Sequence, residues 1–276
     1  MNKVAIKTQG QKRWDGYGLD RLRELRERPG DFMVGEDFLE TKPGRPEFLK
    51  NLGHVHGKKI LELGCGRGEL SVFLAKKGAD VTGVDIGPHL VEASRLLAGV
   101  NGARCEFREG DMTMLPFGDG GFDMVVGRSV LHHLSIPDMR RALEETHRVL
   151  KDGGSAVFHE PVENSRAFDF IQNIIPAGRP GERYYRPSVL NRKAWRAYKE
   201  RADNRVLTNT ELLASGRVFS DVTIEPVGFL VRLERVFGAG RRNALLKVDA
   251  CLFKAVPGLE RLCQTVVVKF DKKGRT

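Results

Sequence analysis

Cysteine is scarce and scattered in this 276-residue chain: Cys65, Cys105, Cys251 and Cys263 form no CxxC pair and have no histidine at metal-ligand spacing. That excludes a disulfide-stapled scaffold and a zinc ribbon, and leaves reduced, mostly buried thiols and no metal site. Long hydrophobic runs are missing too. No uninterrupted apolar stretch approaches the ~18 residues of a membrane span, and the opening MNKVAIKTQGQKRWDGYG lacks the apolar centre of a signal peptide. A cytoplasmic protein with no integral membrane association is the expectation. No internal repeat or low-complexity tract stands out, so the chain reads as a linear series of elements. Acids are in deficit: 36 Asp and Glu against 46 Lys and Arg leave a formal charge of +10. Such an excess fits an anionic partner, whether phosphate, carboxylate, lipid head group or nucleic acid, without choosing among them.

What is present is a regular rhythm. LDRLRELRERPG sets Leu19, Leu22 and Leu25 at helical spacing and stops at Pro29-Gly30, predicting an amphipathic helix ahead of the main domain. From Lys58 onward, KILELG, DVTGVD, ARCEFREGD, FDMVVGRSVLHHL and SAVFHEP read as five strands. Between them, GELSVFLAKKG, PHLVEASRLLAG and IPDMRRALEETHRVLKDGG read as helices stopped at Gly78, Gly99 and Gly153-Gly154. Strands alternating with helices predict a parallel, doubly wound sheet. After Pro161 the rhythm breaks into a segment, 162–205, whose stretch from Arg179 to Arg205 has nine basic residues against Glu182, Glu200 and Asp203, with Tyr184, Tyr185, Trp195 and Tyr198 interleaved. It reads as an insertion over the sheet edge. Beyond it, TNTELLASGRVF predicts a helix capped by Asn209 or Thr210, DVTIEPVGFLVRLERV and CQTVVVKF the last strands, and RRNALLKVDACLFKAVPG a helix between them. That last helix reads as core-facing, with a membrane surface as the lesser alternative.

The stretch KKILELGCGRGELSVFLAKKGADVTGVD runs strand, glycine turn, helix, strand and acid. A helix N-terminus behind a glycine turn gathers backbone N–H groups at one spot, which suits an anionic group. The spacing of Gly64, Gly66 and Gly68 is G-x-G-x-G, one residue short of the dinucleotide fingerprint G-x-G-x-x-G. ELGCGRGEL followed by VTGVD resembles the first two motifs of class I S-adenosylmethionine (SAM)-dependent methyltransferases of the small-molecule type. REGDMTMLPF, FDMVVGRSVLHHL and LKDGGSAVFHEP stand where that family has its third, fourth and fifth strand motifs. The likeness covers roughly Lys58 to Pro161. It implies an α/β fold: a Rossmann-like, doubly wound, seven-stranded, mostly parallel sheet with an N-terminal helical segment and an inserted lid. The expected layout is 1–50 as that segment, 51–161 as the SAM-binding core, 162–205 as a basic substrate lid and 206–276 as the C-terminal part of the fold.

The resemblance also implies SAM as cofactor. Gly64 and Gly66 would pass the methionyl part, with Glu62 in the cofactor set, and Asp85 would accept from both ribose hydroxyls. Ile86 would pack on adenine, Asp111 would take its amino group, Met112 would supply a backbone donor, and Arg128 would lie beside the methionyl group. Read from the residues alone, Asp85 also suits a helix cap before Pro88, and Asp111 a turn. A sulfonium methyl is already activated, so an alcohol or phenol acceptor asks mainly for positioning and for a base. His132, His133 and Glu160 are the candidate catalytic residues, each with a structural role as alternative. His159 and Tyr184 and Tyr185 are further base candidates, and Trp14, Tyr17, Tyr184 and Tyr185 are candidate acceptor contacts. The expected activity is methyl transfer to a small-molecule acceptor, with an anionic natural product, metabolite or sugar derivative as candidates and oxygen slightly favoured over nitrogen or carbon. RNA methylation is the rival that the charge suggests, and a non-catalytic SAM-binding subunit is the third reading.

Overall fold

A computed structural model describes residues 3–39, 45–162, 170, 173–176, 187–199, 207–230, 242–256 and 258–274. Its centre is a seven-stranded sheet in the order β3-β2-β1-β4-β5-β7-β6. The strands are β1 (Lys59–Leu63), β2 (Asp80–Asp85), β3 (Cys105–Glu109), β4 (Phe122–Arg128), β5 (Leu150–Pro161), β6 (Asp221–Val227) and β7 (Thr265–Asp271). The first five pair in parallel, and β7 runs antiparallel between β5 and β6. The order reverses between β1 and β4, which places the crevice for a ligand at their carboxyl ends.

The helices are α1 (Lys3–Glu27), α2 (Arg45–Leu52), α3 (Glu69–Lys76), α4 (Pro88–Val100), α5 (Ile136–Val149), α6 (Arg192–Lys199), α7 (Asn209–Ser215) and α8 (Arg242–Ala255). They cover both faces of the sheet, so β1 is apolar on both. Ile60 joins Leu25, Phe48, Val72, Leu74, Leu97 and Val126 on one side. Leu61 and Leu63 join Val125, Met139, Leu143, Phe158 and Phe270 on the other. Period-2 alternation sends neighbouring side chains to opposite layers, and here each layer is hydrophobic.

Four local expectations change. The first helix starts at Lys3, far ahead of Leu19, and carries Trp14 and Tyr17 within it. Its Gly18 is what lets it lie on α4, because a Cβ there would collide with His89 and the backbone of Leu90. Gly99 does not stop α4, which turns off instead at Asn101 and Gly102. Residues 150–154 open β5 rather than closing α5. The cap of α7 is Thr208, whose side chain accepts from the Glu211 amide while Glu211 reaches back to the Thr208 amide in a capping box.

A 3-10 turn at Glu36–Leu39 and another at Pro29–Phe32 lead from α1 back to the sheet. Asn101, on the end of α4, fixes this return. Its side chain accepts from the Val34 amide at 2.8 Å and donates to the Phe32 carbonyl at 3.1 Å. That tie fixes the far end of the N-terminal segment; its near end reaches the carboxyl end of β2, where Gln11 Nε2 donates to the Ile86 carbonyl at 3.3 Å.

Candidate active site

The loop between β1 and α3 holds three glycines in the left-handed region, Gly64, Gly66 and Gly68, at φ of 61°, 55° and 79°. At Gly64 a Cβ would run into Val130, so the loop and the segment after β4 touch backbone to side chain. At Gly66 a Cβ would meet nothing but the carbonyl of Gly64, at 3.9 Å, so the loop presents bare backbone to open space there. Gly68 packs α3 against Ser94 of α4.

Asp85 ends β2 beneath this loop. Its Oδ2 accepts from the Gly66 amide and its Oδ1 from the Gly87 amide, each at 2.9 Å. Burial raises its pKa, opposed by these amides and that of Ile86. It does not cap α4, whose N-cap is Gly87. A carboxylate has about four lone-pair positions, so Asp85 keeps acceptor capacity for a ligand donor. Asp111 shapes a turn, its Oδ1 accepting from the Thr113 amide at 2.8 Å and hydroxyl at 2.7 Å. Met112 lies against the loop at Gly64. Ile86 is half-buried, and its carbonyl accepts from Gln11 Nε2 of α1 at 3.3 Å.

Glu62 lies behind the loop. Its carboxyl accepts from Ser71 Oγ at 2.5 Å and is almost fully buried. Burial pushes it up to about 8, against the lowering influence of Ser71 and Arg128. Arg128 follows Gly127, which pairs with Leu63, so its guanidinium arrives beside the glycine loop. Its Nη1 is buried with no hydrogen-bond partner among the described residues, and its guanidinium lies 5.5 Å from the ring of Phe38. A buried guanidinium nitrogen lacking an acceptor is costly, and an anionic ligand group would satisfy it. Bare loop backbone, a two-acceptor carboxylate and an unsatisfied guanidinium fit the vicinal diol and the carboxylate of SAM.

The other side of the crevice is built on a second buried carboxylate, Glu160 of β5. Ser129, just past β4, has φ 53°, a strained value for a residue with a side chain. The turn it makes aims three successive amides at Glu160: those of Val130 and Leu131 donate to Oε1 at 2.8 and 2.9 Å, and that of His132 to Oε2 at 3.4 Å. His132 Nδ1 stands 2.8 Å from Oε2. Glu160 has 0% exposure. Burial works to raise its pKa, but His132 and the amides of Leu131 and Val130 hold it below the ordinary carboxylate value. Glu160, at the strand end, is thus turned onto three amides and His132 and has no exposed surface. Against an ionised carboxylate the neutral His132 ring carries its hydrogen on Nδ1 and keeps the lone pair on Nε2.

His133 packs against His132 with centroids 3.9 Å apart, and Trp14 of α1 meets it edge-on at 5.0 Å. Tyr17, 6.3 Å from Trp14, lies 5.6 Å from the guanidinium of Arg67 in the glycine loop. One helix thus touches both halves of the site. His159 is half-buried beside Arg128 on β5. Tyr184 and Tyr185 lie outside the described residues. Ser129, Ser71 and Gln11 were missed from the sequence; only Ser129, between a strand and VLHH, had a signal in its position.

Residues 60–154 match the model of a methyltransferase domain. The chain is 29% identical over 207 residues to a ubiquinone biosynthesis O-methyltransferase of Pseudomonas aeruginosa (strain UCBPP-PA14), covering 71% of this chain and 86% of that one. It is 30% identical over 165 residues to the protein of the same name from Azotobacter vinelandii (strain DJ / ATCC BAA-1303), covering 56% of this chain and 69% of the relative. The chain belongs to the class I SAM-dependent methyltransferases. An S-adenosylmethionine-dependent methyltransferase from Mesorhizobium loti shares the fold, with TM-score 0.54 and 18% identity over 86% of this chain and 98% of that one. The methyltransferase has no helix, among its described residues, long and apolar enough to cross a membrane.

Proposed function

We propose that this methyltransferase acts on a hydroxyl group of a small aromatic acceptor, with His132 as general base and Glu160 as its positioning residue. The observation that carries the reading is the contact between His132 Nδ1 and a fully buried Glu160 that is itself fixed by three amides. A base held this way offers one nitrogen, Nε2, in one direction. Support for an oxygen acceptor also comes from the relatives, which are named as O-methyltransferases.

The residues that would hold SAM are Gly64, Gly66, Asp85, Ile86, Asp111, Met112 and Arg128, with Glu62 setting the charge behind them. When bound, SAM supplies a methyl group activated by its sulfonium. His132 Nε2 takes the hydroxyl proton as the oxygen gains carbon, and Glu160 stabilises the imidazolium that results. Trp14, His133 and His132 form an aromatic wall against which a flat ring stacks, and α1 excludes water from the reacting oxygen.

The test is a panel of phenols, catechols and hydroxybenzoates, followed by release of S-adenosylhomocysteine, with wild type and His132→Ala side by side. Removal of a general base is expected to lower kcat by roughly 100- to 10,000-fold while SAM affinity is kept. Full turnover in His132→Ala refutes the base. RNA methylated in preference to every small acceptor, with binding that collapses as salt rises, replaces the acceptor class.

A further inference from the structure

The outer face of α8 differs from those of α1, α4 and α5. Ala244, Lys247, Val248, Cys251, Lys254 and Ala255 recur at helical spacing and are all exposed, Val248 to 47%. The opposite side holds Leu245, Leu246, Leu252 and Phe253, half-buried, with Leu246 on one core layer and Phe253 on the other. The only acid in the helix, Asp249, is turned inward: it is 1% exposed and accepts from the Leu230 amide at 2.6 Å. The exposed stripe therefore has small apolar groups, two lysines and no negative charge. By contrast α1 exposes Asp20, Glu24 and Glu27, α4 exposes Glu92, and α5 exposes Glu144, each among arginines.

Position adds a second observation. Val227 at the end of β6 and Pro161 at the end of β5 both pair with Thr265, so α8, tied by Asp249 to Leu230, leaves from the sheet end that carries Glu160. Its 14 residues make a rod of about 21 Å, long enough to lie on a surface and too short to span one. Lysines whose chains flank aliphatic side chains, with acids removed from the face, are the pattern that complements anionic head groups over an acyl boundary. The whole chain, at +10, is attracted to the same surface.

We propose that α8 is a docking face for a bilayer rich in anionic phospholipid, holding the acceptor end of the methyltransferase against the membrane. It rests on the composition of this helix face and not on the identity of the acceptor.

The full-length protein is sedimented with vesicles of phosphatidylglycerol and phosphatidylcholine, and with vesicles of phosphatidylcholine alone, at low and high salt. Binding to the anionic vesicles that weakens at high salt is expected, with at least a tenfold weaker partition for Lys247→Glu/Lys254→Glu. That variant is expected to keep the wild-type melting temperature and SAM affinity, which shows that it is folded. As a local readout, Cys251, the one exposed cysteine, carries an environment-sensitive fluorophore whose emission shifts to the blue on anionic vesicles. Absence of sedimentation with anionic vesicles, equal partition of the variant, or an unshifted Cys251 label overturns the proposal. So does retention on RNA or on a protein partner that the variant loses while vesicle binding is absent.

Discussion

Two carboxylates stand at strand ends of this sheet, both buried and both caught by backbone amides, yet they are set up for opposite tasks. Asp85 accepts from Gly66 and Gly87 and keeps acceptor positions in reserve, and burial raises its pKa. Glu160 accepts from three amides and an imidazole and is held below the ordinary value. The same chemical group at equivalent places keeps acceptor capacity open where the loop leaves it unfinished, and is fully occupied where the turn closes around it. What separates them is the loop: left-handed glycines leave open space above Asp85, whereas the turn at Ser129 brings side chains down over Glu160.

The comparison breaks most visibly at Glu160. Glu160→Ala leaves three amides and His132 facing a void, and is expected to cost about 3–5 kcal/mol in chemical denaturation, with turnover lost. A loss under about 1 kcal/mol would mean that the amides are satisfied some other way.

Glu62 sharpens the comparison through pH. Its folded-state pKa, near 8, lies above the ordinary 4.5, so the folded ligand-free protein binds more protons than the unfolded chain between those values. Stability from this group is full below about 4.5 and declines as pH rises to about 8, by a few kcal/mol. Glu160 works in the other direction, because its lowered pKa makes its contribution present above the unfolded carboxylate value and lost as pH falls through the folded one. Glu62→Gln is expected to flatten the decline between pH 5 and 8 in thermal unfolding; an unchanged slope assigns the decline to other groups.

The smallest effect belongs to Asp85. Asp85→Ala is expected to weaken SAM binding by about 1–3 kcal/mol in calorimetric titration, with little change in the melting temperature. Affinity equal to wild type in a folded variant rejects Asp85 as the ribose acceptor.

Much of the sheet could be read from the chain because its parallel strands are continuous apolar runs bounded by glycine, as in KILELG and DVTGVD. The start of α1 could not: Gly10, Gly16 and Gly18 argue against a helix locally, and only contact with α4 explains Gly18. Thr208 was legible and overlooked, since T-x-x-E is the pattern of a capping box. At the site, the glycine loop and Asp85 are local in sequence and could be placed. The role of Glu160 could not, because its partners lie about thirty residues away and reach it through the strained turn at Ser129.

Gln11 meets the carbonyl of Ile86 and Trp14 meets His133 from positions one turn apart on the same helix. One turn of α1 consequently bridges the end of β2 and the turn after β4. Displacing α1 would therefore uncover the end of β2 and the histidine pair after β4 in the same movement.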